Sequence, residues 1–166
     1  MNQSTIGERA MVQPAIALDS LKVMVIDDSL TIRRSAEIFL VQAGCKVILA
    51  EDGFDALSKI SDHQPDVIFV DILMPRLDGY QTCALIKKNP RFAGTPVIML
   101  SSRDGLFDRA RGRMAGSDEY LTKPFTREAL LQAIGAQLAA RSAIDSNAAP
   151  AASSGSAAAA GEDRAA

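Results

Sequence analysis

Five short apolar segments alternate with five segments of helical period between residues 21 and 141. We predict strands at 22–26, 46–50, 66–70, 96–100 and 119–122, and helices at 29–43, 53–61, 78–88, 104–115 and 126–140. Strands that alternate with helices form right-handed βαβ units, which build a parallel sheet covered on both faces. The unbroken apolar character of KVMVI, DVIFV and PVIML is typical of strands buried on both faces. The sequence therefore predicts an α/β fold with a doubly wound parallel sheet.

Helical period also predicts which helix residues face the core. In segment 53–61 the apolar residues are Phe54, Leu57 and Ile60. Segment 29–43 is followed by Gly44, which suits the position just past a helix end.

The two ends of the chain differ in composition from this middle region. Residues 1–20 have no sustained period, so we predict a flexible leader. Residues 142–166 are almost wholly Ala, Ser, Gly, Asn, Asp and Pro. Such a segment has too little apolar surface to offset the entropy lost on ordering it, so we predict a disordered tail. One folded domain, residues 21–141, lies between the leader and the tail.

Composition argues against several classes of protein. A formal net charge of −2 gives no general reason to expect a nucleic acid or an anionic membrane as partner. No apolar run approaches the roughly 20 residues that span a bilayer, and the N-terminus does not resemble a signal peptide. Cys45 and Cys83 have no paired spacing, which favours free thiols in a reducing compartment. We therefore expect a cytoplasmic protein that does not insert into membranes.

Polar residues suited to phosphoryl chemistry follow four of the predicted strands. Asp27 and Asp28 follow the first strand, Asp71 the third, Ser101 the fourth and Lys123 the fifth. In an open parallel sheet, these carboxyl ends meet at one crevice. We therefore expect the five side chains to lie together.

Three carboxylates in one crevice would repel one another by about 4 kcal/mol per pair at about 4 Å and an effective dielectric near 20. Mg²⁺ would relieve this repulsion, because it binds one or two carboxylates together with water and phosphate oxygens. Lys123 offers a point positive charge and Ser101 a hydroxyl donor for phosphoryl oxygens. An aspartate can itself be phosphorylated, and Asp71, alone after the third strand, is the candidate.

Each of these residues has a simpler interpretation when it is taken alone. Asp28 or Ser29 could cap the following helix, and Ser101 could belong to an ordinary turn. Asp78, later in the same stretch as Asp71, is expected to be a helix N-cap and not a ligand. The occurrence of acids, hydroxyl and ammonium in order at four strand ends favours a phosphoryl site.

These motifs resemble one family. The pair Asp27-Asp28, DILMPRLDG around Asp71, MLSS at Ser101 and YLTKPF at Lys123 are similar to the receiver domain of two-component response regulators over about residues 21–140. The resemblance implies a flavodoxin-like (βα)5 fold with a five-stranded parallel sheet in the order 2-1-3-4-5. It also implies that Asp71 accepts a phosphoryl group from a histidine kinase or its phosphotransfer domain.

The resemblance assigns roles to further residues. Mg²⁺ would be held by Asp28, Asp71 and the backbone carbonyl of Leu73, with Asp27 acting largely through water. Ser101 and Lys123 would bind the phosphoryl oxygens, the Lys123–Pro124 peptide would be cis, and Tyr120 would move inward as the switch residue.

Within this family the chain is similar to stand-alone receivers of the chemosensory systems that control type IV pili and twitching motility. One departure is Leu30, where such regulators often carry Lys. The implied output is a phosphorylation-dependent contact with a downstream protein effector of the pilus or motility machinery. Arg109 and Arg113 in segment 104–115 are a candidate docking surface for an acidic partner.

Two other functions are compatible with parts of this pattern. A receiver-shaped adaptor could work without phosphate. A Mg²⁺-dependent aspartyl-phosphate phosphohydrolase would need a second acid where this chain has Leu73. We expect a phosphoacceptor with only intrinsic phosphorylation and dephosphorylation chemistry, and not an enzyme.

Overall fold

The structure is a computed structural model that describes residues 18–102 and 106–147. Within these ranges the elements are β1 (Lys22–Ile26), α1 (Leu30–Gln42), β2 (Lys46–Ala50), α2 (Gly53–His63), β3 (Val67–Asp71), α3 (Gly79–Lys88), β4 (Val97–Ser101), α4 (Leu106–Met114), β5 (Glu119–Thr122) and α5 (Arg127–Asn147). The strands pair in parallel in the order β2-β1-β3-β4-β5. The predicted fold class and strand order are confirmed.

Strands β3 and β4 begin and end one residue later than predicted. Asp71 is therefore the last residue of β3 and Ser101 the last residue of β4. In the sheet register Asp71 lies beside Leu100, and Ser101 lies beside Thr122. Two of the candidate site residues are consequently held by the sheet itself rather than by the loops that follow it.

Two apolar layers cover the sheet, one on each face. Met24 packs in the layer formed with α2 and α3, whereas its neighbour Val25 packs in the layer formed with α1 and α5. Both side chains are fully buried. Successive residues of one strand point to opposite faces, so both must be apolar, and each contributes about 1.5–3 kcal/mol on burial.

Helix N-caps lie where three loops leave the carboxyl edge of the sheet. The Ser29 hydroxyl accepts a hydrogen bond from the Ile32 amide, so Ser29 and not Asp28 caps α1. Asp52 caps α2 by accepting from the Asp55 amide at 2.7 Å. Asp78 caps α3, as predicted.

The predicted domain boundaries need correction at both ends. Leu18 packs against the α1–α5 layer and the Ser20 amide donates to the carbonyl of Gly44 at 3.0 Å, so residues 18–20 belong to the folded domain. Helix α5 continues to Asn147, past the predicted start of the tail at 142. The chain between 142 and 147 contains no Gly or Pro, and the first helix breaker is Pro150. The rest of the leader, 1–17, and of the tail, 148–166, lies outside the described residues.

The expected inward position of Phe54 is also wrong, because its side chain is 53% exposed. Phe54 lies in the first turn of α2, where the guanidinium of Arg76 stands 5.5 Å from its ring centroid. Among the described residues, no helix combines the length and the apolar character needed to cross a membrane.

Candidate functional site

Three carboxylates lie together at the carboxyl edge of the central strands β1 and β3. Asp27, Asp28 and Asp71 each offer an oxygen atom within 4.8 Å of the others. Asp27 is fully buried, Asp71 is 4% exposed, and Asp28 is exposed. The structure thus brings together the three acids that the sequence analysis grouped, with one of them open to solvent.

Asp27 is held from several directions. Its amide donates to the carbonyl of Ala50 at 3.2 Å, which extends the pairing of β1 with β2 by one residue. Its Oδ1 accepts from the Ser29 amide at 2.9 Å, and its carbonyl accepts from the Arg33 guanidinium at 2.6 Å. Asp27 is therefore a fixed part of the site.

Lys123 places a positive charge between two of the carboxylates. Its ammonium donates to Oδ1 of Asp71 at 3.0 Å and to Oδ2 of Asp27 at 3.1 Å. The Lys123 amide also donates to the carbonyl of Ser101, and the Lys123–Pro124 peptide is cis, as predicted. Burial lowers the pKa of Lys123, but hydrogen bonds and charge from Asp71 and Asp27 outweigh burial and leave the pKa above its ordinary value.

Asp71 shows that one ammonium does not fully compensate this acidic cluster. Burial raises its pKa from 3.8 to about 6, and the charge of Asp27 and a hydrogen bond with Asp28 act in the same direction. Contact with Lys123 opposes this rise. The donor set fits Mg²⁺, because it offers several hard oxygen ligands at a place where negative charge exceeds positive charge.

Ser101 completes the predicted set on the neighbouring strand. It is 5% exposed at the end of β4. Its strand is tied to the site from both sides, because the Ile72 amide donates to the carbonyl of Leu100 and the Lys123 amide donates to that of Ser101. The ends of β3, β4 and β5 therefore form one connected edge.

A surface groove of about 530 Å³ lies between α4 and β5. It is lined by Arg109, Arg113, Ser117, Asp118, Glu119 and Tyr120. The Arg109 guanidinium stands 5.3 Å from the ring centroid of the half-buried Tyr120. The groove joins the predicted switch residue to both arginines of the predicted docking surface, but it also contains two acids that the sequence analysis did not include.

Two exposed apolar side chains lie two positions after an acid of the cluster. Leu30, two residues after Asp28, is 59% exposed, and Leu73, two residues after Asp71, is 65% exposed.

Arg76, also near this edge, is a residue that the sequence patterns do not predict. Its partner Asp52 lies 24 positions away, and no periodic pattern links the two.

Comparisons with known proteins agree with this arrangement. A family model for the response regulator receiver domain matches residues 23–135. Protein PilG of Pseudomonas aeruginosa is 67% identical over 127 residues, which cover 76% of this chain and 94% of that protein. Response regulator MprA of a Mycobacterium species is 37% identical over 118 residues, which cover 71% of this chain and 50% of that protein.

Solved structures show the same likeness. The chemotaxis protein CheY4 of Vibrio cholerae aligns with a TM-score of 0.69 at 32% identity, over 70% of this chain and 98% of that one. The receiver domain of the Francisella response regulator 1452 aligns with a TM-score of 0.67 at 34% identity, over 74% of this chain and 99% of that one. The chain belongs to the response regulator receiver family.

Proposed function

We propose that the protein is a response regulator in which Asp71 accepts a phosphoryl group from the phosphohistidine of a histidine kinase or of its phosphotransfer domain. The observation that carries this proposal is the position of the Lys123 ammonium, within 3.1 Å of both Asp71 and Asp27 in a cluster that Asp28 completes. This arrangement combines a nucleophilic carboxylate, a cation for phosphoryl oxygens and oxygen ligands for Mg²⁺.

In the proposed reaction a carboxylate oxygen of Asp71 attacks the phosphorus of the phosphohistidine. The new O–P bond gives an acyl phosphate, and the N–P bond breaks as the imidazole leaves and takes up a proton. Because the pKa of Asp71 is about 6, this carboxyl is mostly ionised and able to attack above pH 7. Asp71 is 4% exposed, so few water molecules solvate the attacking carboxylate.

Mg²⁺ held by Asp28, Asp71 and the carbonyl of Leu73 would neutralise charge on the incoming phosphoryl group. Asp27, whose two carboxylate oxygens already accept from Ser29 and Lys123, would act on the metal through water. Lys123 and Ser101 would hold the phosphoryl oxygens. In this role the protein is a phosphoacceptor and not an enzyme.

The phosphoryl group would change the groove between α4 and β5. It adds about −1.5 to −2 charges and three acceptor oxygens, which draw the ends of β4 and β5 towards Asp71. Tyr120, which follows this movement, lies in the same groove as Arg109 and Arg113. We assign partner docking to this groove, with a downstream protein effector as its occupant.

The pathway we propose is control of type IV pilus twitching motility, in the cytoplasm. The support for it is the 67% identity to Protein PilG over 94% of that protein, together with the resemblance of the motifs to regulators of that kind.

Phosphorylation with a small acyl phosphate tests the proposal. Incubation of the full chain with acetyl phosphate and Mg²⁺ should increase its mass by one phosphoryl group. Asp71→Asn should abolish the increase, whereas Asp78→Asn should retain it, because Asp78 caps α3 and Asn is an equally good cap. Full modification of Asp71→Asn would refute the assignment, and an unmodified wild-type protein would favour an adaptor that works without phosphate.

A further inference from the structure

The loop between β3 and α3, residues 72–78, joins the candidate nucleophile to the capped start of α3. Its ends are fixed by backbone contacts, because the Ile72 amide donates to the carbonyl of Leu100 and the Gly79 amide donates to the carbonyl of Ile72. A side chain at Gly79 would collide with the carbonyl oxygen of Asp71. The start of α3 therefore packs directly on the backbone of Asp71.

The middle of this β3–α3 loop contains a residue in an unfavourable conformation. Arg76 has φ of 67°, in the left-handed region that favours glycine. An L-residue in this region costs conformational free energy, so the surrounding contacts must hold it there.

Arg76 is fixed by a contact with α2. Its guanidinium donates to Oδ2 of Asp52 at 2.7 Å and stands 5.5 Å from the ring centroid of Phe54. The Asp52 side chain is only 13% exposed, and its other oxygen caps α2. Arg76 thus ties the centre of the loop to the N-cap residue of α2.

We propose that Arg76 is a positioning residue for the metal site. Through Asp52 it holds the β3–α3 loop, and with it the backbone of Leu73, in the conformation that binds Mg²⁺. The inference rests on the proposed function, which places Leu73 among the metal ligands. If backbone shape alone were needed, glycine would meet that need without strain, so the side chain of Arg76 is the informative part to change.

Calorimetric titration of the full chain with Mg²⁺, which measures the affinity for the metal, tests this inference. Arg76→Ala and Arg76→Gly should both bind Mg²⁺ roughly threefold or more weakly than wild type, and Arg76→Lys should recover part of the loss. Arg34→Ala is the matched control, since it removes an ion pair of the same 2.7 Å length on α1, from a side chain of similar exposure. This control should bind Mg²⁺ as wild type does.

A double-mutant cycle distinguishes positioning from a general loss of stability. Asp52→Ser keeps a hydroxyl for the α2 cap and removes the carboxylate. Its Mg²⁺ affinity should fall as in Arg76→Ala, and the double variant should be no weaker than either single one. Unfolding in EDTA gives the stability of each variant without metal.

Wild-type affinity in Arg76→Gly would overturn the inference, because the backbone conformation would then suffice. Additive losses in the double variant would also overturn it. Absence of Mg²⁺ binding in the wild-type protein would instead refute the metal site of the proposed function, which keeps the two failures apart.

Discussion

The ammonium nitrogen of Lys123 lies 3.0 Å from Oδ1 of Asp71, at the ends of two strands separated by β4 in the sheet. The contact joins residues 52 positions apart and spans the edge where the phosphoryl group is proposed to bind. It also gives the buried carboxylates of Asp71 and Asp27 a single shared cation. The balance of charge between these two buried carboxylates therefore depends on this one side chain.

Replacing Lys123 with Met should destabilise the protein by about 3 kcal/mol in EDTA at pH 7.5, because two buried carboxylates lose their cation. The loss should be smaller at pH 5, where Asp71 is mostly protonated, and millimolar Mg²⁺ should reverse part of it. Urea unfolding measures these differences.

Lys59→Met is the control for that experiment. Lys59 makes an ion pair with Asp55 on α2 whose two side chains are 38% and 28% exposed. Its loss should cost less than about 1 kcal/mol at either pH. A Lys123→Met variant as stable as Lys59→Met in EDTA would contradict the assigned electrostatics.

The raised pKa of Asp71 predicts how metal-free stability changes with pH. The carboxyl binds its proton more tightly in the folded state, with a pKa of about 6 against 3.8. Its contribution to stability is therefore fully present below about pH 4 and is lost as the pH rises through 6. The non-titrating variant Asp71→Asn should become more stable than wild type across this window, by up to about 3 kcal/mol at pH 7.5.

Denaturant unfolding of both proteins in EDTA at intervals from pH 4 to pH 8 checks this expectation. Excess Mg²⁺ should remove most of the difference, since a metal ion bound at the proposed site would stabilise the ionised form of wild-type Asp71. A difference in stability that stays constant with pH would show that Asp71 does not titrate in this range.

The buried thiol of Cys83 gives a prediction independent of the proposed metal site. Burial raises the pKa of Cys83 to about 11, and its thiol is fully buried with Sγ 3.5 Å from the carbonyl of Ala115. Little thiolate exists below that pKa, so Cys83 should not react with a disulfide reagent at pH 8 in the native protein. Full reaction should follow addition of guanidinium chloride, and rapid native labelling of Cys83 would place its thiol outside the core.

Prediction from the sequence succeeded where a simple geometric rule applies. The carboxyl ends of parallel strands converge, so Asp27, Asp71 and Lys123 could be grouped although they lie far apart in the chain. The predicted ends of β3 and β4 fall one residue before the observed ends, because a polar residue such as Asp71 or Ser101 is typical of the start of a loop. Polar residues are uncommon in strands that are buried on both faces, and Asp71 and Ser101 occupy such positions because they belong to the candidate site.

Prediction failed where side chains meet without a periodic pattern. Helical periodicity predicts that Phe54 faces the core, but it does not show that the ring lies beside the guanidinium of Arg76 at the surface. The pairing of Arg76 with Asp52 depends on a left-handed residue that no motif announces. The composition of the whole tail predicts disorder, but α5 extends to Asn147 because the first helix breaker in the tail is Pro150.

Contacts of Tyr80 predict a restraint on α4. The Tyr80 hydroxyl lies 3.3 Å from both the carbonyl oxygen and Oδ1 of Asp108, and the Arg111 guanidinium stands 4.6 Å from the Tyr80 ring centroid. Burial raises the Tyr80 pKa to about 12, so the hydroxyl remains a donor throughout the physiological range. Tyr80→Phe keeps the ring beneath Arg111 but removes the hydroxyl, which should cost about 0.5–1.5 kcal/mol.

Most of this cost should appear as faster hydrogen exchange of the α4 amides, because Asp108 lies in α4 whereas Tyr80 lies in α3. The control is Ser142→Ala, which removes a hydroxyl bonded within the exposed end of α5 and should leave α4 unchanged. Since α4 also supplies Arg109 and Arg113 to the groove beside Tyr120, faster exchange in α4 would also mean a less rigid wall for that groove. Unchanged exchange in α4 of Tyr80→Phe would show that the hydroxyl does not restrain this helix.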